Sequence, residues 1–198
     1  DGLAIDRMGL IGTSMGGLMA MMMATMQPER FDSLILNDIG PAVDAAGLAR
    51  IQSYVGALAP FDSWQKAADH CRSVHGDSFP DYSAQDWQVF ARHVCEQRAD
   101  GRIYMAYDPA ISEGLSGTDP TVVPPDLWAI WDQLSALPVL VIRGALSDIL
   151  SAATVAEMKL RHSGTFAAVD IPSRGHTPML GEPEALAAID RFHAELEN

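Results

Sequence analysis

Between Met8 and Met26 an apolar run, a glycine-flanked serine and a methionine-rich helical stretch follow one another without a break. Met8-Gly9-Leu10-Ile11 has the length and composition of a strand, and Gly12 ends it. After Ser14 the small and apolar residues continue to Met26, where Gln27-Pro28 closes the stretch. The pattern predicts a strand, a tight turn and a buried helix. Ser33-Leu34-Ile35-Leu36 is a second strand-length run, stopped by Asn37-Asp38-Ile39-Gly40-Pro41. A strand, a helix and a strand in so short a span form a βαβ unit, which requires a parallel sheet.

The pattern then changes. From Pro41 to Leu137 the apolar residues fall on helical faces: Leu48, Ile51, Val55 and Leu58, then Phe61, Trp64, Ala68 and Cys71, then Trp87, Phe90 and Val94, and last Leu127 to Leu134. Ser83 followed by Asp86 reads as a capping box. The stretch 41–137 is thus expected to be a mostly helical insert. Strand character returns at Pro138-Val139-Leu140-Val141-Ile142, of the kind buried on both faces of a parallel sheet, and again at Phe166 to Ile171. Ser151 caps the helix between them, and Pro183 opens a last helix with Leu186, Ile189, Phe192 and Leu196 on one face. The expected fold class is α/β, a doubly wound parallel sheet built from 1–40 and 138–198 and interrupted by the helical insert.

Composition narrows the choice of partner. With 13 basic and 26 acidic residues the net charge is −13, so a polyanion is repelled and nucleic acid is not an expected partner. The apolar stretch Gly16 to Met26 falls short of the roughly 20 residues a membrane span needs, so no membrane span is expected. Cys71 and Cys95 read as reduced core residues, and Met19, Met21, Met22, Met23 and Met26 as flexible core filler, with no metal in view. Trp64, Trp87, Phe90, Trp128 and Trp131 either line a pocket or form the core of the insert.

Gly12-Thr13-Ser14-Met15-Gly16 is a G-x-S-x-G sequence set between strand and helix. There a strained turn presents the Ser14 hydroxyl, the flanking glycines leave room for strand and helix to approach, and the Met15 N–H points where an oxyanion would form. A nucleophilic serine needs a base, and a neutral imidazole needs a carboxylate to fix its tautomer. Asp148 follows the strand ending in Arg143-Gly144, and His176 follows the last strand in Ser173-Arg174-Gly175-His176-Thr177-Pro178. Ser14, Asp148 and His176 therefore sit past the carboxyl ends of parallel strands, where open α/β sheets place their sites. The other five histidines lie within or at the ends of helical patterns.

On these residues, and on Gly12 to Gly17 paired with Leu36 to Pro41, the chain resembles the α/β-hydrolase superfamily, in a branch of esterase-like hydrolases. The resemblance covers the whole chain. It implies Ser14 as nucleophile, His176 as general base, Asp148 as the orienting acid and 41–137 as a cap. Some members carry the acid after the strand that follows the nucleophile, which here makes Asp38 the alternative. Asp148 also stands one residue further from Gly144 than the commoner Gly-x-x-Asp spacing. The implied activity is hydrolysis of a small or medium carboxylic ester, lactone or thioester, with no cofactor and a small-molecule substrate. Carbon–carbon bond hydrolysis and a non-catalytic ligand-binding remnant are the alternatives. Family members have several more strands ahead of the nucleophile strand and a His-Gly motif that supplies a second oxyanion donor. Neither is found here, so the chain is expected to be the C-terminal part of a longer protein or a truncated paralogue, with an apolar sheet edge exposed at Met8 to Ile11; either it self-associates through that edge or it is not the whole protein. A cytoplasmic location is expected.

Overall fold

The structure is a computed structural model that describes residues 4–56, 58–108, 110 and 126–197; within the sequence-predicted insert, residues 57, 109 and 111–125 lie outside the described residues. The described residues of Asp1–Gly47 and Pro124–Asn198 form one compact unit, and those of Leu48–Val123 a second.

The first unit is built on four parallel strands, β1 (Met8–Thr13), β2 (Phe31–Asn37), β5 (Val139–Gly144) and β6 (Phe166–Ile171), in the order β1-β2-β5-β6. The two central strands are the continuous apolar runs of the sequence, and all six residues of β5 are buried. Such runs suit a parallel sheet, because residues on both faces of the strand need cover. The register lines up Thr13 with Asn37, Asn37 with Ile142, and Ile142 with Val169. The carboxyl ends of the strands are therefore level, and whatever follows each one emerges on the same edge. Among the described residues β1 pairs with β2 alone, and Ile11 on it is exposed.

Helix α7 (Pro183–Leu196) covers one face of this sheet. Ala185, Ala188 and Phe192 pack into a cluster with Ile35, Leu140, Ile142 and Ile171. The sequence pattern put Leu186 and Leu196 on this face, but both are exposed. The two alanines explain the rotation: small side chains let the helix approach closely enough for Phe192 to reach the sheet, whereas the larger Leu186 would hold it off. Helix α1 (Met15–Met26) buries Gly17, Ala20, Met21 and Ala24. Of the methionines expected in the core only Met21 is buried; Met19, Met22, Met23 and Met26 are exposed. A helix that is apolar all round gives no periodic signal for its buried face. Here the small residues choose it, because they permit the closest backbone approach to β1 and β2.

Helix α5 (Trp128–Gln133) belongs with the sheet and not with the second unit. Trp131 is fully buried, its indole N–H donates to Met158 O at 3.1 Å, and its ring packs edge-on against Phe166. At the other boundary Asp44 N–H donates to Ile149 O at 3.0 Å. These contacts make the second unit, Leu48–Val123, narrower at both ends than the 41–137 read from the sequence. Helix α6 (Ala152–Arg161) is capped by Ser151 through Thr154 N–H, as its sequence predicts.

The second unit holds α3 (Trp64–His75), α4 (Ala84–Val94) and an antiparallel ribbon of β3 (Cys95–Gln97) and β4 (Ile103–Met105) that helical periodicity does not reveal; α2 (Ala45–Tyr54) spans the division between units. The Ser83–Asp86 capping box is formed reciprocally. Ala67, Ala68, Cys71, Phe79, Trp87, Phe90, Ala91, Cys95 and Ile103 are its core, with Trp64 packed at the side. Trp87 and Phe90, left open by the sequence, are thus core residues of this unit. Cys71 and Cys95 are both buried and reduced. No helix among the described residues is long and apolar enough to cross a membrane.

Burial lowers the proton affinity of His70 and pushes the Cys71 thiol up to about 12. Burial also lowers that of His162, in the first unit. All three groups are therefore held neutral. Below the ordinary histidine value of 6.5 the unfolded chain binds protons that the folded one does not, and stability falls on acidification. Above the ordinary thiol value of 9.0 the unfolded chain loses a proton that folded Cys71 retains, and stability falls again. Thermal melts from about pH 5 to about pH 10 should give a plateau between these values and a decline on each side. Cys71→Ala should flatten the alkaline limb.

Candidate active site

Ser14 connects β1 to α1 with φ 51° and ψ −121°. A non-glycine residue in this region stores about 1–3 kcal/mol of strain, which the surroundings must hold in place. They do so by backbone bonds: Ser14 N–H donates to Asn37 O at 3.1 Å, and Ser14 O accepts from Gly17 and Leu18 N–H at 2.9 and 3.2 Å. The hydroxyl is left half-buried at the carboxyl edge of the sheet. The glycines divide the work differently from the sequence expectation. A side chain at Gly12 would strike Gly16 O and Gly17 Cα, and one at Gly17 would strike Ile39 and Gly12 O, whereas Gly16 faces open space. Close approach of strand and helix therefore depends on Gly12 and Gly17. Met15 is the first residue of α1, so its N–H stands at the positive end of the helix.

His176 lies in the loop after β6 and is buried. Its Nε2 is 2.8 Å from Ser14 Oγ and its Nδ1 is 2.8 Å from Asp38 Oδ2. Asp38, not Asp148, is the carboxylate that holds the ring. It directly follows β2, the strand next to β1, at φ 55°, a left-handed conformation that aspartate tolerates. Asp38 is completely buried, and its oxygens are matched by donors: Gly144 N–H to Oδ1 at 2.8 Å, and the Ser147 hydroxyl to Oδ2 at 2.6 Å beside His176. Buried carboxylate oxygens need such partners to replace the water they lose. Because Nδ1–H is committed to Asp38, Nε2 carries the lone pair and accepts from Ser14. The reason Asp148 is displaced is the turn after β5. Ser147 N–H donates to Gly144 O at 2.9 Å, which sends side chain 147 to Asp38. Residue 148 lies one step further round, with its carbonyl against Gly47.

The site is thus a strained serine between strand and helix, joined through a histidine to a carboxylate at the carboxyl edge of a parallel sheet. A sequence model of the alpha/beta hydrolase family matches residues 4–189. The chain belongs to the alpha/beta hydrolase family. The 3-hydroxybutyrate-oligomer hydrolase of Cupriavidus necator is 30% identical over 195 residues, covering 96% of this chain and 66% of that protein. An alpha/beta hydrolase from Novosphingobium aromaticivorans superposes with TM-score 0.87 at 40% identity, over 99% of this chain and 67% of that one. A structure from Rickettsia typhi gives TM-score 0.82 at 29% identity, over 98% of this chain and 64% of that one. The chain thus spans about two thirds of the length of the relatives it matches.

Two polar side chains that the sequence did not single out support the site of this alpha/beta hydrolase. Asn37 is buried beside Asp38, and its amide donates to Thr13 Oγ1 at 3.1 Å and to Pro178 O at 2.9 Å. It therefore ties the residue before Ser14 to the loop that carries His176. Ser147 is the second. Its signal was already present in the spacing, since it is the residue that stands at the third place after Gly144, with Asp148 one residue beyond. Beneath the same loop Arg143 pairs with its register partner Asp170 at 2.8 and 3.1 Å and reaches Leu150 O at 3.4 Å, which fixes the span from Gly144 to Leu150 at both ends. Close packing adds to this: a side chain at Gly144 would collide with the carbonyl of Gly175, the residue before His176.

Proposed function

We propose that this chain carries the catalytic apparatus of a serine hydrolase that cleaves small or medium carboxylic esters through an acyl-enzyme. The observation that carries the reading is His176, bonded at 2.8 Å through one ring nitrogen to Ser14 and at 2.8 Å through the other to Asp38. In the first half-reaction Ser14 Oγ attacks the ester carbonyl while His176 Nε2 takes its proton. Asp38 stabilises the imidazolium, and the Met15 N–H, at the start of α1, donates to the oxyanion. The tetrahedral intermediate collapses, the C–O bond to the alcohol breaks, and His176 gives the proton to the departing alkoxide. In the second half-reaction His176 takes a proton from water, the hydroxide attacks the acyl carbon, and the acid leaves as Ser14 recovers its proton. Lactones and thioesters present the same carbonyl to the same groups.

The name of the Cupriavidus necator relative supports a short oligoester of a hydroxy acid as one member of the substrate class. The test uses folded protein with p-nitrophenyl acetate, p-nitrophenyl butyrate and the linear dimer of 3-hydroxybutyrate. Turnover of at least one of them, lost in Ser14→Ala, is the expected result. Release no faster than the Ser14→Ala background on all three would overturn the reading.

A further inference from the structure

We propose that Ser147 is a positioning residue for the Ser14–His176–Asp38 relay, a proposal that rests on the hydrolase reading above. A hydroxyl has one proton to donate and two lone pairs to accept with. Ile149 and Leu150 N–H both point at Ser147 Oγ, at 3.2 and 3.0 Å, and occupy the lone pairs. The proton is left with a single destination, Asp38 Oδ2, at 2.6 Å, a short charge-assisted bond. That oxygen is the one that receives His176 Nδ1–H. The other oxygen is held by Gly144 N–H. The carboxylate is thereby fixed in rotation by the turn that runs from Gly144 to Leu150, and the direction in which it presents Oδ2 to the imidazole is set by Ser147. The sequence has no acid at the third place after Gly144. It has instead a hydroxyl that grips an acid arriving from β2.

Removing the hydroxyl frees the carboxylate on one side and leaves two N–H groups without their acceptor. The acid itself remains, so His176 keeps a partner in poorer alignment. The chemical step should suffer and substrate binding should not, because Ser147 acts on the reacting atoms only through Asp38 and His176. With p-nitrophenyl acetate as probe, Ser147→Ala is expected to lower kcat by about tenfold to a hundredfold with KM within twofold, and Ser147→Thr, which keeps the hydroxyl, to restore most of kcat. Thermal melts show whether each variant is folded. If Ser147→Ala does not fold, Ser147→Cys fills the same space with a weak donor and should show the same split. A folded Ser147→Ala or Ser147→Cys with the parent kcat, or a loss confined to KM, overturns the inference while the parent's turnover keeps the hydrolase reading intact. A folded parent that turns over none of the three esters named above overturns both, and if p-nitrophenyl acetate alone is not turned over, the ester that is turned over takes its place as the probe.

Discussion

Asp38→Asn should lower kcat by about four orders of magnitude, while Asp148→Asn stays within a few fold of the parent. The effect is chemical, because the amide is nearly the same size as the carboxylate and can still accept from Gly144 N–H at Oδ1. What changes is the atom facing His176. An amide NH2 in the place of Oδ2 donates, so Nδ1 must accept, and the ring proton moves to Nε2, the atom 2.8 Å from Ser14 Oγ. A ring protonated there cannot take the serine proton. Asp148 is half-buried one residue beyond Ser147, and both ring nitrogens of His176 are already taken by Ser14 and Asp38. Steady-state kinetics on the two variants, each checked for folding by circular dichroism, separate the two carboxylates. The reverse ranking would return the acid to the loop after β5.

The second large effect is on stability. Gly12→Ala places a methyl group 2.6 Å from both Gly16 O and Gly17 Cα, and both are backbone atoms with no rotamer to yield. The first turn of α1 must move off the strand, at a cost of at least about 2 kcal/mol. In a chain of this size that is a fall in melting temperature of roughly 4–8 °C or more. Activity should fall with it, because Ser14 lies in the turn that moves. Gly16→Ala, in the same motif, meets nothing within 4 Å and is expected to leave stability unchanged or raise it by about 0.5–1 kcal/mol through helix propensity. The pair is informative because the two glycines are indistinguishable in the sequence motif and opposite in the structure.

What could be read from the residues was what is written locally. Ser14 follows from a strand run, a glycine turn and a helix in direct succession, and His176 from a polar loop after the last strand run. The caps at Ser83 and Ser151 obey spacing rules that span three residues. Asp38 is different. Choosing it over Asp148 requires knowing which way two loops turn at the edge of a sheet, and a carboxylate after a strand looks the same in either loop. The methionines of α1 failed for another reason: a uniformly apolar helix has no phase, and Gly17, Ala20 and Ala24 set its buried side by their smallness. The same logic turned α7 onto Ala185 and Ala188 in place of Leu186. Ser147 stands where the Gly-x-x-Asp spacing would place an acid, but a serine in a turn acquires its meaning only from the acid it meets.

The most direct test of Ser14 as an activated nucleophile is reaction of the folded protein with a fluorophosphonate, read by intact mass and peptide mapping. A single phosphonyl adduct on Ser14, formed in the parent and in Asp148→Asn but lost in His176→Ala and slowed by orders of magnitude in Asp38→Asn, is the predicted result. Folded protein that stays unmodified, or is modified at another residue, would contradict it.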